Sequence, residues 1–447
     1  MHHKLDYRIT HRYSGLDISA SEIKRLFDIA SWNGVVPRFA RPGRVAWHAL
    51  EEEVSLLADP RLRFVAAKLK GVGLWNPKLP GRYSGKLHDV YSNEPVPPLS
   101  TVWEDLLTYP HMGITDGGEY TFAYSAPCPI GGILHNRAHL EYCAAERLIE
   151  NGVPTIAPLA VIEYGQSLQF EGRPMGAVIT LSPELSWYRV SEILYGAALN
   201  RGSNPEVDDY YDAMRVSLGI DGDPDDERTR LRVIGALARQ EGKLVHDFSM
   251  AGLYRYSADW SNFHYSVERG EVFLIDLDSV QDMDSITEPL RAMQAWRDLS
   301  TAIYRMVAKI GYPTALDKYT LNNLLDHDPV IELLSGYFPE IPVDEFRPIS
   351  RRLWNYFIPH LFLLRKHREA IRRDWCRERR KSYKMDHDIF YIMTLTSLQP
   401  LFATSDIGKR YPSELDAGDM WAKAERYLGD RFEYFAYLMG ETNPKVG

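Results

Sequence analysis

The chain has 447 residues, 45% of them hydrophobic and 25% charged, and a formal charge of −9. That is the make-up of an ordinary globular protein, with room for about two to three domains. No apolar run approaches the roughly 20 residues of a membrane span, the first residues lack the apolar core of a secretory signal, and the acidic balance argues against a whole-surface nucleic-acid binder. A cytoplasmic protein without membrane or nucleic-acid partners is therefore expected. Cys128, Cys143 and Cys376 are the cysteines. Their odd number and scattered spacing argue against a disulfide framework.

Apolar spacing near 3.6 in Ser21–Ala30 and again in Val45–Leu57 predicts helices, so residues 1–60 are expected to form a helical N-terminal extension. From Leu62 the pattern becomes that of a strand ending at Lys70, stopped by Gly71-Val-Gly73. Residues 71–118 are rich in Gly, Pro, Tyr and Ser and read as loop, with a turn at Asp116-Gly117-Gly118. A helix is expected over Asn136–Asn151, with Leu140, Ala144 and Leu148 on one face and a stop at Asn151-Gly152. Strands are expected at Ala157–Tyr164 and Gly176–Thr180. The acidic, turn-rich stretch 203–228 reads as a surface loop, and Thr229–His246 as a helix. Two short strands then turn at Arg269-Gly270, the second closing at Asp276, and the remainder is mostly helical in pattern.

The chemistry-bearing residues fall in a definite order along these elements. A strand lysine can neutralise nucleotide phosphates when a helix carboxylate holds it in place. Lys70 fits the first role, with Lys68 two residues away on the same strand face as its rival, and Glu141 fits the second. Asn262 and Asp276, 14 positions apart, offer hard oxygen ligands suited to Mg²⁺. Gly131, Gly132 and Arg137 are candidates for the phosphate side. Asp278 is expected to support the metal ligands, and His246-Asp247 reads as a structural helix end. Arg365 to Lys384 is strongly basic with interleaved aromatics, and reads as a solvated helix face.

This order resembles that of a bilobal protein-kinase-like fold. The fold class it implies is α+β, with the helical extension over 1–60, an N-lobe over 61–182 and an enlarged helical C-lobe over 183–447. A kinase loop carries its catalytic Asp five residues before the metal-binding Asn, and here that position is Ser257. Asp259, in the same loop, is the candidate base.

Two segments narrow the resemblance. Ala66-Ala-Lys-Leu-Lys70-Gly-Val-Gly73 and Leu140-Glu141-Tyr-Cys-Ala-Ala-Glu146, continuing to Gly152-Val-Pro-Thr155, are similar to stretches of the selenoprotein-O family of protein adenylyltransferases. That family also lacks the kinase base at the place of Ser257. The resemblance implies that Lys70 binds phosphates, Glu141 orients it, Asn262 and Asp276 hold the metal, and Glu146 is structural. It also implies ATP and Mg²⁺ as cofactors, and AMP transfer onto a hydroxyl of a protein or peptide acceptor. The alternatives are a phosphotransferase acting on a small molecule or peptide, and a nucleotide-binding pseudokinase that serves as an interaction module.

Overall fold

The computed structural model describes residues 4–35, 37–38, 45–72, 110–124, 132–165, 168–170, 172–199, 201–255, 260–310, 319–367 and 377–440. The chain divides into two compact units. The first comprises Met1–Leu107, Ala126–Trp187 and Phe273–Val280, the second Thr108–Ser125, Tyr188–Val272 and Gln281–Gly447. Strands gather in the first and helices in the second, an α+β arrangement.

In chain order the first unit begins with β1 (Tyr7–Arg12), β2 (Leu16–Asp17), α1 (Ala20–Ala30), β3 (Val45–Leu56) and β4 (Arg63–Lys70). The hairpin β5 (Pro110–Ile114) and β6 (Tyr120–Tyr124) belongs to the second unit. The first unit resumes with β7 (Ile133–Leu134), α2 (His135–Glu150), β8 (Ala157–Tyr164), β9 (Gln169–Phe170) and β10 (Arg173–Ser182). Its eight-stranded sheet runs β1-β8-β10-β4-β3-β2, with β7 and β9 added on β10. These pairings are antiparallel.

β4 lies in the middle of this sheet, and its register decides which side chains share a face. Lys70 stands opposite Val178 and Val45, and Lys68 opposite Thr180 and Trp47. Because side chains alternate across a strand, Ala67 and Leu69 point the other way, into the apolar cluster shared with Leu26 and Phe27 of α1. Val178 joins Ala138 and Tyr142 of α2 in a separate cluster. The two lysines therefore share the face of the sheet that α2 covers. Past Lys70 the chain needs a glycine: Gly71 has φ +100°, and a Cβ there would run into Ile133 and the Gly176 carbonyl.

Residues 1–60 are not the helical extension that the apolar spacing predicts. Only Ala20–Ala30 is helical there among the described residues, and Val45–Leu56 is a strand. The reason is a bulge. Ala49 pairs with Ala66 and Val54 with Phe64, so Leu50 to Glu53 stand opposite Val65 alone. Across the bulge Ala46, Leu50 and Val54, four residues apart, all join the apolar cluster that also holds Leu26 and Phe27, and a four-residue apolar spacing imitates a helix.

The second unit is helical. Its long helix Glu227–Met250 starts at an Asp226 cap that accepts the Thr229 N–H, and packs against Pro329–Tyr337. The two helices meet at Gly242 and Gly336, where an added Cβ would collide with the backbone of the other helix. The expected loop over 203–228 contains a helix, Pro205–Ser217. Val207, Tyr211 and Met214 form its buried stripe, a pattern hidden among its aspartates. Asp116-Gly117-Gly118 is the turn of the β5–β6 hairpin, closed by the Gly118 N–H on Thr115 O at 2.8 Å. Among the described residues no helix is long and apolar enough to cross a membrane.

Candidate functional site

The site is built within the first unit, on β4, α2 and the turn after Ile275. Lys70 is fully buried and Lys68 is 2% exposed. Ionised groups removed from water cost several kcal/mol each unless they are paired with good geometry. Here α2 supplies the partner: Glu141, also fully buried. One of its oxygens accepts from Lys68 Nζ at 3.1 Å and the other from Lys70 Nζ at 2.7 Å. Burial is the leading influence on Lys68 and drives its pKa down, while Glu141 and then Asp276 pull it back up.

The third element is a short, unusual turn. After Ile275 the chain places Asp276 in the left-handed region, φ 60° and ψ 52°, before a single 3₁₀ turn over Leu277–Ser279. Few residue types tolerate that conformation, and Asp is among those enriched there. Although Asp276 precedes the turn, its side chain makes no capping bond. Its carboxylate accepts from Lys70 at 2.5 Å and stands 3.8 Å from Lys68. Asp278, two residues on, reaches Lys70 at 3.2 Å. Arg137, 40% exposed on α2, stands 3.9 Å from its other oxygen.

Lys70 thus has three carboxylates around an ammonium with three donors. The two lysines and Arg137 offset Glu141, Asp276 and Asp278, so the cluster is formally neutral. Glu141, Asp276 and Asp278 can each offer one oxygen with all three oxygens within 4.8 Å of one another. Hard, closely spaced carboxylates are the donor set that Mg²⁺ and Ca²⁺ take. A divalent cation here would make the cluster net positive, the sign that polyphosphates require.

The structure brings Lys68, Lys70, Glu141, Asp276 and Arg137 together. Lys68 and Lys70 both bind Glu141, one on each of its oxygens. Two roles were missed from sequence. Asp278 stands beside Asp276 as a candidate ligand, and Glu141 belongs to the acidic set as well as to the lysines. The Asp276-x-Asp278 spacing on either side of a buried Leu277 was the readable signal.

Gly132 is buried at the bend before β7, while Gly131, Ser257, Asp259 and Gly73 lie outside the described residues, as do residues 368–376 of the basic segment. Asn262 belongs to the second unit, where it ends the 3₁₀ turn Trp260–Asn262. In that unit Arg189 donates to the Ser261 carbonyl at 2.5 Å, holding the backbone next to Asn262. His246 Nδ1 lies 3.0 Å from the Asp247 carboxylate, and Lys243 also pairs with Asp247. Glu146 accepts from the Tyr142 hydroxyl at 3.4 Å.

No family model and no curated protein matches this chain. Among solved structures it is similar to one titled "WaaP in complex with acyl carrier protein". The likeness has 17% identity and a TM-score of 0.30, and covers 57% of this chain and 88% of that one.

Proposed function

We propose that the protein is an ATP- and Mg²⁺-dependent transferase of protein-kinase-like architecture that moves AMP onto a hydroxyl of a protein or peptide. The observation that carries this reading is the buried Lys70–Glu141 pair with Asp276 and Asp278 on the same ammonium. A strand lysine fixed by a helix glutamate beside a metal-binding aspartate is the arrangement by which kinase-like sites grip nucleotide phosphates. The resemblance of the Lys70 and Glu141 segments to the selenoprotein-O family supports AMP as the group transferred.

In this reading Lys70 turns from Asp276 towards the phosphates of ATP, and Glu141 keeps its ammonium in place. Lys68, on the other oxygen of Glu141, stops that carboxylate from swinging away. Asp276 and Asp278, with Glu141 beside them, are the residues that would hold Mg²⁺, whose chemistry is to neutralise charge on the phosphates. Arg137 adds a cation at the more open edge. Positioning and charge neutralisation carry most of such a transfer, and a base contributes roughly 10²–10⁴-fold. Asp259 is the residue proposed for that part.

The test uses ATP labelled at the α- or the γ-phosphate, incubated with the protein and with acceptor proteins. Transfer of label from the α position alone is expected. Transfer from the γ position alone would replace AMP transfer by phosphotransfer. Binding of ATP without any transfer would leave a pseudokinase.

A further inference from the structure

Among the described residues, two that are not glycine have a positive φ: Asp276, at 60°, and Trp32, at 57°. Asp276 belongs to the site. For a side chain as bulky as tryptophan the left-handed region is a true outlier, kept only where the surroundings over-determine it. The end of α1 does so here. The Trp32 N–H donates to the Ile29 carbonyl at 3.2 Å, and the Asn33 N–H to the Asp28 carbonyl at 2.8 Å. That pair of bonds ends a helix on a left-handed residue, and glycine is its usual occupant. The helix end is fixed in turn by the Leu5 N–H on the Ser31 carbonyl at 2.8 Å and the Tyr164 hydroxyl on the Ala30 carbonyl at 2.9 Å.

A glycine in this place could not reach β4. Trp32 is 1% exposed, and its indole N–H donates to the Val72 carbonyl at 3.0 Å. Lys70 is the last paired residue of β4, opposite Val45 and Val178. Gly71 then turns the chain, with no room for a Cβ beside Ile133, two residues before α2 begins. Val72 shares one apolar cluster with Trp32 and with Leu134, the residue at the N-cap of α2. The end of the strand that carries Lys70 and the start of the helix that carries Glu141 therefore meet where Trp32 takes hold.

We propose that Trp32 is a positioning residue for Lys70. By holding the backbone two residues past the lysine, next to the start of α2, it sets where the ammonium stands relative to Glu141 and to a phosphate. The proposal rests on the reading that Lys70 grips the phosphates of ATP. Without the indole N–H the buried Val72 carbonyl loses this donor, and the end of β4 is free to shift.

The test is a double-mutant cycle on the full-length chain, with ATP and Mg²⁺ as the probe and calorimetry as the readout, at a temperature where urea curves show every variant folded. Trp32→Phe keeps an aromatic ring and removes the N–H. It should weaken ATP binding by about 3–10-fold, the worth of one net hydrogen bond, and slow transfer by up to about 10²-fold, as a misplacement of about 1 Å does. In a Lys70→Met background the same change should weaken binding no further, the non-additivity of two residues that act through one another. Leu26→Ala, which disturbs the same apolar cluster, should leave affinity unchanged. If Trp32→Phe does not fold, Trp32→Met takes its place, since a flexible side chain fills an irregular gap. The proposal is overturned if the tryptophan variant binds and transfers as the wild type does, if its loss persists in full beside Lys70→Met, or if Leu26→Ala loses as much. Lys70→Met binding ATP at full strength would remove the reading of the site and the proposal together. Weak binding by Lys70→Met beside an unaffected Trp32→Phe would remove the proposal alone.

Discussion

The two faces of β4 carry opposite kinds of burial. Ala67 and Leu69 enter the apolar cluster beneath α1, where every square ångström removed from water stabilises the fold at about 25 cal/mol. Lys68 and Lys70, alternating with them, are as deeply buried and bring a desolvation cost that Glu141, Asp276 and Asp278 must offset. One strand thus separates a face that stabilises from a face that is held in place only by its partners. Chemistry belongs on the second, because an ammonium that is expensive to bury is also one that a phosphate can attract.

The largest expected effect comes from deleting the shared partner. Glu141→Ala leaves two buried ammonium groups facing each other, and removing one member of a buried ion pair costs about 3–5 kcal/mol. Leu69→Ala on the apolar face should cost about 2–5 kcal/mol, by lost transfer energy and a cavity. Denaturant unfolding should therefore show two variants of comparable instability. Their chemistry should differ: at a temperature where both remain folded, Leu69→Ala keeps ATP-dependent transfer and Glu141→Ala loses it. Loss of transfer in both would show that the faces are not separable.

That contrast also explains what could be read from sequence. The period-two alternation of Ala67 and Leu69 with Lys68 and Lys70 was legible, and so was the helix holding Glu141, because local pattern and tertiary role agree there. β3 was misread because its register depends on a bulge opposite Val65, and nothing within Val45–Leu56 announces a partner strand. The helix Pro205–Ser217 was missed because the acidic, turn-rich run Asp221-Gly-Asp-Pro-Asp-Asp226 made the whole stretch read as loop, while Val207, Tyr211 and Met214 kept a helical stripe. Asp278 was placed behind the ligands. Only the left-handed turn at Asp276 brings both carboxylates to Lys70, and a single sequence does not reveal a backbone dihedral.

A smaller structural effect with a large chemical one is expected from Asp276→Asn. Asparagine also favours the left-handed region, and Lys70 keeps Glu141 and Asp278. Stability should fall by about 1–3 kcal/mol, the usual cost of weakening one buried polar contact. Transfer should fall by roughly 10²–10³-fold, the range for losing one preorganised electrostatic contact. Mg²⁺-dependent turnover unchanged in this variant would remove Asp276 from the metal set.

The smallest effect concerns the side of the sheet away from the lysines, and it has a pH signature. His48 stands opposite Ala67, and its Nε2 accepts the Arg38 N–H at 3.0 Å. Burial first, then the charges of Arg25 and Arg38, lowers its pKa from 6.5 to about 4. Between those values the unfolded chain binds a proton that the folded chain refuses, so stability falls as pH drops through this window and is fully present above about 6.5. Carboxylates elsewhere titrate in the same range, so the informative quantity is the difference from His48→Gln, which keeps an acceptor for Arg38 and cannot ionise. Melting temperatures of the two proteins should run parallel above the window, and the wild type should drop a few degrees further inside it. Parallel curves throughout would mean that His48 is protonated in the folded protein, and that the apolar face of the sheet is wetter there than its packing implies.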